Sequence, residues 1–180
     1  MKNLAIANQN SRAAFGTRTL ALSGILIGIG FVLHAIVPPI FFGIKPDFML
    51  ACMFVAILIN PNIKNAVVVG VVAGIVAAMT TGFPGGQLPS LVDKLLSAVA
   101  VYALVSMIPA KASKAAVLVI FTVISFVGTV ISGLVFLGSA LVIAGLPAPM
   151  MSLVLGIVLP TAVANAGVGA LMYKVQSSLK

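Results

Sequence analysis

No Asp, Glu, Lys or Arg interrupts the chain from residue 115 to residue 146. That stretch is longer than the roughly 20 residues a helix needs to cross a bilayer. Shorter apolar runs lie at about 19–37, 47–59, 65–81, 91–108 and 150–173. Prolines, glycines, asparagines and single lysines separate them. In lipid every backbone N–H and C=O must be satisfied within the protein, so apolar runs of this length specify helices. The expectation is an all-α integral membrane protein with six transmembrane helices. Composition agrees: 7% of the 180 residues are charged, against about a quarter in a soluble domain. Little is left for a soluble unit. The division expected is a basic tail at 1–18, a six-helix domain at 19–175 and a short tail at 176–180. A cleaved signal peptide would carry a short apolar core and a small-residue cleavage site. The run from Leu20 is long and leads into further spans, so it reads as a retained first helix of a multi-pass membrane protein.

The formal charge is +8, but the basic residues are scattered between apolar runs rather than gathered in a patch. That excludes a nucleic-acid surface and leaves a topology signal. With the N-terminus inside, the inner segments carry Lys2, Arg12 and Arg18, then Lys64, then Lys111 and Lys114, then Lys174 and Lys180. The outer segments carry only Lys45 and Lys94. The positive-inside rule then makes both termini cytoplasmic. It also places the loops 38–47 and 83–94 at the same outer face.

Those two loops hold the only acids, Asp47 and Asp93, each beside a lysine: Lys45 and Lys94. Asp47 follows Pro46, a residue suited to the first turn of a helix, where the dipole favours an anion. Asp93 and Lys94 are expected in the first turn of the fourth span. Charge in a membrane is costly, so two readings stand. The pairs neutralise one another as structure, or they present carboxylate and ammonium to a small zwitterion. Phe41, Phe42, Phe48 and Phe83 are near in sequence and would give an aromatic wall. The stretch 80–90, with Gly82, Pro84, Gly85, Gly86, Gln87 and Pro89, has no charge and is expected to line or close the site.

Other polar positions have competing readings. His34 either hydrogen-bonds within the bundle or touches ligand. Asn165, on a face with Thr161 and Gly169, either bonds across helices or touches ligand. Gly24 and Gly28 form a small-xxx-small pair that packs inside the bundle or docks an external partner. Ser125, Thr129 and Gly133 make one small polar face. The fifth region is expected to tilt or to break near Gly133 or Gly138, and Pro160 falls inside the sixth span. Cys52 is expected to pack as a small residue. No cluster of ligating residues suggests a metal, no serine has a base beside it, and no G-x-x-x-x-G-K-[ST] loop is present. The chain does not read as an enzyme and calls for no cofactor.

Taken together, Ile44-Lys45-Pro46-Asp47-Phe48-Met49-Leu50, the stretch Thr80-Thr81-Gly82-Phe83-Pro84-Gly85-Gly86-Gln87-Leu88-Pro89, and Asp93-Lys94 resemble the TrpP family. These are tryptophan-uptake proteins related to the S-components of energy-coupling factor (ECF) transporters. The resemblance covers about residues 18–175. It implies an S-component-like bundle that binds tryptophan toward the outer side, under loops between the early helices. It also implies a membrane coupling subunit and two cytoplasmic ATPase subunits as partners. Lys45, Asp47, Phe83, Gln87, Asp93, Lys94 and Asn165 become the candidate substrate-binding residues. S-components often dock through an Ala-xxx-Ala pair on the first helix, and Gly24 and Gly28 stand there instead. The alternative is a stand-alone, ion-coupled permease for an amino acid or aromatic compound. A non-transporting scaffold, its charge pairs purely structural, is the third class.

Overall fold

A computed structural model describes residues 16–36, 38 and 47–178. The described residues form helices and connections, with no strand among them. In order they are α1 (Thr17–Ile36), α2 (Met49–Ile59), α3 (Ile63–Thr80), α4 (Gln87–Ser106), α5 (Lys114–Ile143), α6 (Met150–Leu153), a π-helical turn (Val154–Val158) and α7 (Leu159–Ser178). The last three run on as one apolar span. It, α1, α3, α4 and α5 are long and apolar enough to cross a membrane, and α2 is a shorter apolar helix. The result is a bundle of about six helices, as the apolar runs predict.

α2 is the element the others wrap. It is apolar on every side, and Met49 to Leu58 are all buried, as a helix with no polar face must be. Its 11 residues reach only about 16 Å, half of a hydrocarbon layer about 30 Å thick. Asp47, two residues before its start, is therefore drawn into the bundle. Around α2 lies the main core, with Phe54, Val101, Val105, Val117, Phe121 and Tyr173. A smaller cluster of Phe83, Leu137, Ala140, Leu153, Ile157 and Val158 occupies the other end.

Three details differ from the sequence reading or decide between its alternatives. First, α4 begins at Gln87, not near Leu91. Pro89 lies in its first turn, where a missing N–H costs no helical bond. Asp93 and Lys94 thus fall in the second turn rather than the first. Second, α5 is one unbroken helix of 30 residues, about 45 Å long, with no break at Gly133 or Gly138. Gly133 serves packing instead: a Cβ there would lie 2.5 Å from Val158 Cγ1, so α5 closes tightly on the π turn. Third, the π turn sits just before Pro160. Proline clashes with the carbonyl four residues back, here Gly156. Widening the helix, with Leu159 N–H donating to Val154 O, accommodates it.

α1 is the least embedded long helix. Ser23, Ile27, Gly30 and His34 face the bundle at helical spacing. Gly24 and Gly28 face outward: a methyl added at either position would have nothing within 4 Å. They do not pack inside the bundle. Cys52 is buried, its thiol 3.9 Å from Met172 Sδ.

Candidate binding site

Two acids distant in sequence meet at one lysine. Lys94 Nζ is 2.6 Å from Asp47 Oδ2 and also contacts Asp93 Oδ2. Among the described residues both carboxylates are therefore served by one ammonium. The side chains of Lys94 and Asp93 are almost wholly buried, and that of Asp47 is 17% exposed. Helical spacing explains the burial: Ser90, Asp93, Lys94 and Ser97 recur at three- and four-residue steps on the inward face of α4. Ser97 Oγ donates to Asp93 Oδ1 at 2.9 Å. Met49 N–H donates to Asp47 Oδ1 at 3.1 Å, as an aspartate before a helix does.

α1 and α7 complete the cluster. His34 Nδ1 lies 3.4 Å from Asp47 Oδ1. It is buried and makes no hydrogen bond. Asn165 Nδ2 donates to the Asp47 carbonyl at 2.9 Å and lies 3.2 Å from Thr129 Oγ1. Asn165 is absent from the cavity wall, so its contacts are cross-helix: it ties α7 and α5 to the start of α2.

A cavity of about 90 Å³ opens beside these charges, with room for several waters. His34, Asp47, Asp93 and Lys94 form one part of its wall. Phe83, Phe136, Leu137, Leu153, Ile157 and Val158 form an apolar part. Ser90, Thr129, Ser132 and Thr161 add hydroxyls. Phe83 and Phe136 meet edge to face, centroids 5.7 Å apart. A charged end and an aromatic end in one pocket suit a small amphiphile. The carboxylates match an ammonium, Lys94 matches a carboxylate, and the phenyl groups match an apolar side chain.

Of the residues picked out from sequence, Asp47, Phe83, Asp93 and Lys94 line this cavity. Gln87 is exposed at the tip of α4 and is not part of the wall. Phe48 does not line it either. Lys45, Phe41 and Phe42 lie outside the described residues, and the lysine that Asp47 meets among the described residues is Lys94. Ser132, Phe136 and the π turn escaped sequence reading. The recurrence of Ser125, Thr129 and Gly133 was the signal for their helix face, and Pro160 the signal for the turn. Among the described residues no group of His, Cys, Asp and Glu could hold a metal ion.

Comparison with known proteins bears on the cavity's occupant. Residues 16–180 match the family described as "Tryptophan transporter TrpP". Three relatives each carry the name "Probable tryptophan transport protein". That of Clostridium acetobutylicum is 43% identical over 156 residues, covering 87% of this chain and 90% of the relative. That of Bacillus subtilis is 44% identical over 149 residues, 83% and 84% of the two chains. That of Clostridium perfringens is 35% identical over 175 residues, 91% and 94%. No solved structure matches.

Proposed function

This chain belongs to the tryptophan transporter family TrpP, a family of transporters rather than enzymes, and we propose from that premise that it binds tryptophan in the cavity at the Asp47–Lys94–Asp93 cluster. With several apolar helices of spanning length, it is a multi-pass protein of the bacterial cell membrane. The observation that carries the tryptophan reading is Lys94 held between two carboxylates on the wall of a mostly apolar pocket. In the occupied site the substrate ammonium takes one or both carboxylates and Lys94 turns to the substrate carboxylate. The indole lies against Phe83 and Phe136. Lys64, Lys111, Lys114 and Lys174 are at the far end of the bundle, so the positive-inside rule directs the cavity outward and both termini to the cytoplasm.

As to energy, the reading is the substrate-binding subunit of an ECF-type importer, working with a membrane coupling subunit and two cytoplasmic ATPases. The outward apolar face of α1 around Gly24 and Gly28 is the surface proposed for docking the coupling subunit. A second reading, a stand-alone ion-coupled permease, is favoured by one feature: titratable groups clustered inside the bundle.

The test is calorimetry of the purified protein in detergent with tryptophan, and with phenylalanine, tyrosine and thiamine as controls. Selective tryptophan binding without partners is expected. Equal or absent binding of all four would remove the assignment. Uptake into liposomes holding this chain alone, lost when the ion gradient is collapsed, would replace the importer with the permease.

A further inference from the structure

Among the described residues the charges of the site do not balance. Two carboxylates, Asp47 and Asp93, face one ammonium, Lys94. With both carboxylates ionised and His34 neutral, these groups carry one surplus negative charge. A tryptophan zwitterion adds no net charge, and its arrival drives water from the cavity. The occupied site would then hold an unbalanced charge among apolar walls, which is expensive unless something neutralises it.

We propose that each tryptophan enters together with one proton, taken from solvent onto His34. This rests on the tryptophan reading above and adds a co-ligand to it. The geometry selects His34 among the groups at hand. Asp93 is engaged by Lys94 and Ser97, and Asp47 by Lys94 and the Met49 N–H. Lys94 is already the cation of the cluster. Of the four titratable side chains here, His34 alone has a buried polar atom without a hydrogen bond, Nδ1, 3.4 Å from Asp47 Oδ1. A proton on Nδ1 converts that near-contact into a charge-assisted bond. Among the described residues the other elements packed on α1 bring no rival. From α2 the titratable group is Cys52, whose thiol turns toward Met172, and Lys64 of α3 sits at the opposite end of the helix.

The accounting then closes. Protonated His34 occupies Asp47 Oδ1. The substrate ammonium takes the remaining carboxylate oxygens, and Lys94 takes the substrate carboxylate. Two anions, two cations and a zwitterion sum to zero. The same count makes His34 a specificity residue. With neutral His34 the site balances a ligand of net charge +1, an aromatic monoamine lacking the carboxylate.

The experiment is proton uptake by the full chain in detergent at pH 8, read with an indicator dye in weak buffer as tryptophan is added. About one proton taken up per tryptophan bound is expected, with affinity falling up to about tenfold per unit of rising pH. His34→Gln should abolish the uptake, flatten the pH dependence and favour tryptamine over tryptophan. Should that variant fail to fold, Asp93→Asn supplies the second arm: it removes the surplus charge, so tryptophan that still binds should bring no proton. Tryptophan bound by the native chain with no proton taken up between pH 6 and 8.5 would overturn the proposal and assign the balancing charge elsewhere, Lys45 first. Absence of tryptophan binding would instead overturn the reading on which it rests.

Discussion

Polar side chains are buried between helices at both ends of this bundle, and the two clusters have opposite characters. At the end near Asn60 the polar groups are neutral and engage backbone. Asn65 Nδ2 donates to the carbonyls of Ala56 and Asn60, and its Oδ1 accepts from Ser23 Oγ. Asn60 Nδ2 donates to Thr19 Oγ1. These bonds give a second donor to two carbonyls at the end of α2, which also accept from the Asn60 and Asn62 N–H groups, and none of these residues lines the cavity described above. At the other end the groups are charged, they engage one another, and a cavity opens beside them. The first cluster leaves Asn60 Oδ1 unpartnered, and the second leaves His34 Nδ1 and Asn165 Oδ1. Of these residues, only His34 lines the cavity and lies beside the Asp47 carboxylate. Burial of polarity is therefore a poor guide to a membrane site. Charge imbalance beside a cavity discriminates better.

The harshest way to probe that contrast is Lys94→Met. It strips two buried carboxylates of their shared cation, and breaking a buried ion pair from one side costs about 3–5 kcal/mol. A large drop in melting temperature in detergent and loss of tryptophan binding are both expected. Adding Asp93→Asn to the same chain should recover part of the melting temperature and none of the binding. Native-like melting of Lys94→Met would mean the charges are not coupled as the structure places them. At the neutral end Asn65→Ala removes three buried hydrogen bonds, two to carbonyls that keep one backbone donor each and one from Ser23, worth about 1–3 kcal/mol in all. Its effect should be confined to melting, with tryptophan affinity within about threefold of native, since a threefold change is well under the roughly 1.4 kcal/mol of a decade. A matching fall in affinity would erase the distinction between the two ends.

The two ends are also unequally legible in the sequence. The bundle itself can be read, because lipid allows apolar runs little choice beyond helices. The boundaries are harder: Pro89 reads as a breaker, yet within a first turn it is harmless. Asp47, Asp93 and Lys94 stand out because acids are so scarce here. Their union at Lys94 depends on the depth of α2, which a run of apolar letters does not disclose. His34 depends on the angle at which α1 leans on the bundle. Gln87 has a glycine-rich setting that suggests a loop over the site, but it sits at the helix tip, beyond the reach of the cavity. Asn65 carries no signal at all, since an asparagine after Asn60-Pro61-Asn62 reads as one more turn residue.

The finest comparison uses one helix and two glycines. Gly128 and Gly133 both allow α5 to approach its neighbours closely, on different sides. A methyl at Gly128 would lie 2.6 Å from Val101 Cγ2 and 3.0 Å from the Phe54 ring, in the main core. A methyl at Gly133 would meet Val158, whose side chain borders the cavity. Overpacking of this kind costs about 1–3 kcal/mol. Phe54 is fully buried, and Val158 crowds the atom added at Gly133 with its Cβ and both methyls, within 3.1 Å, so turning a β-branched side chain gives no relief and both variants should melt early. Affinity should separate them. Val158 belongs to the π turn, and displacing it moves Ile157 and Leu153 along the same wall. Gly133→Ala should therefore weaken tryptophan binding, and Gly128→Ala should bind as the native chain does. Calorimetry and melting on the two variants decide it. If both lose affinity equally, the cavity is not a local property of the wall but of the whole bundle, and the division into a structural end and a binding end fails.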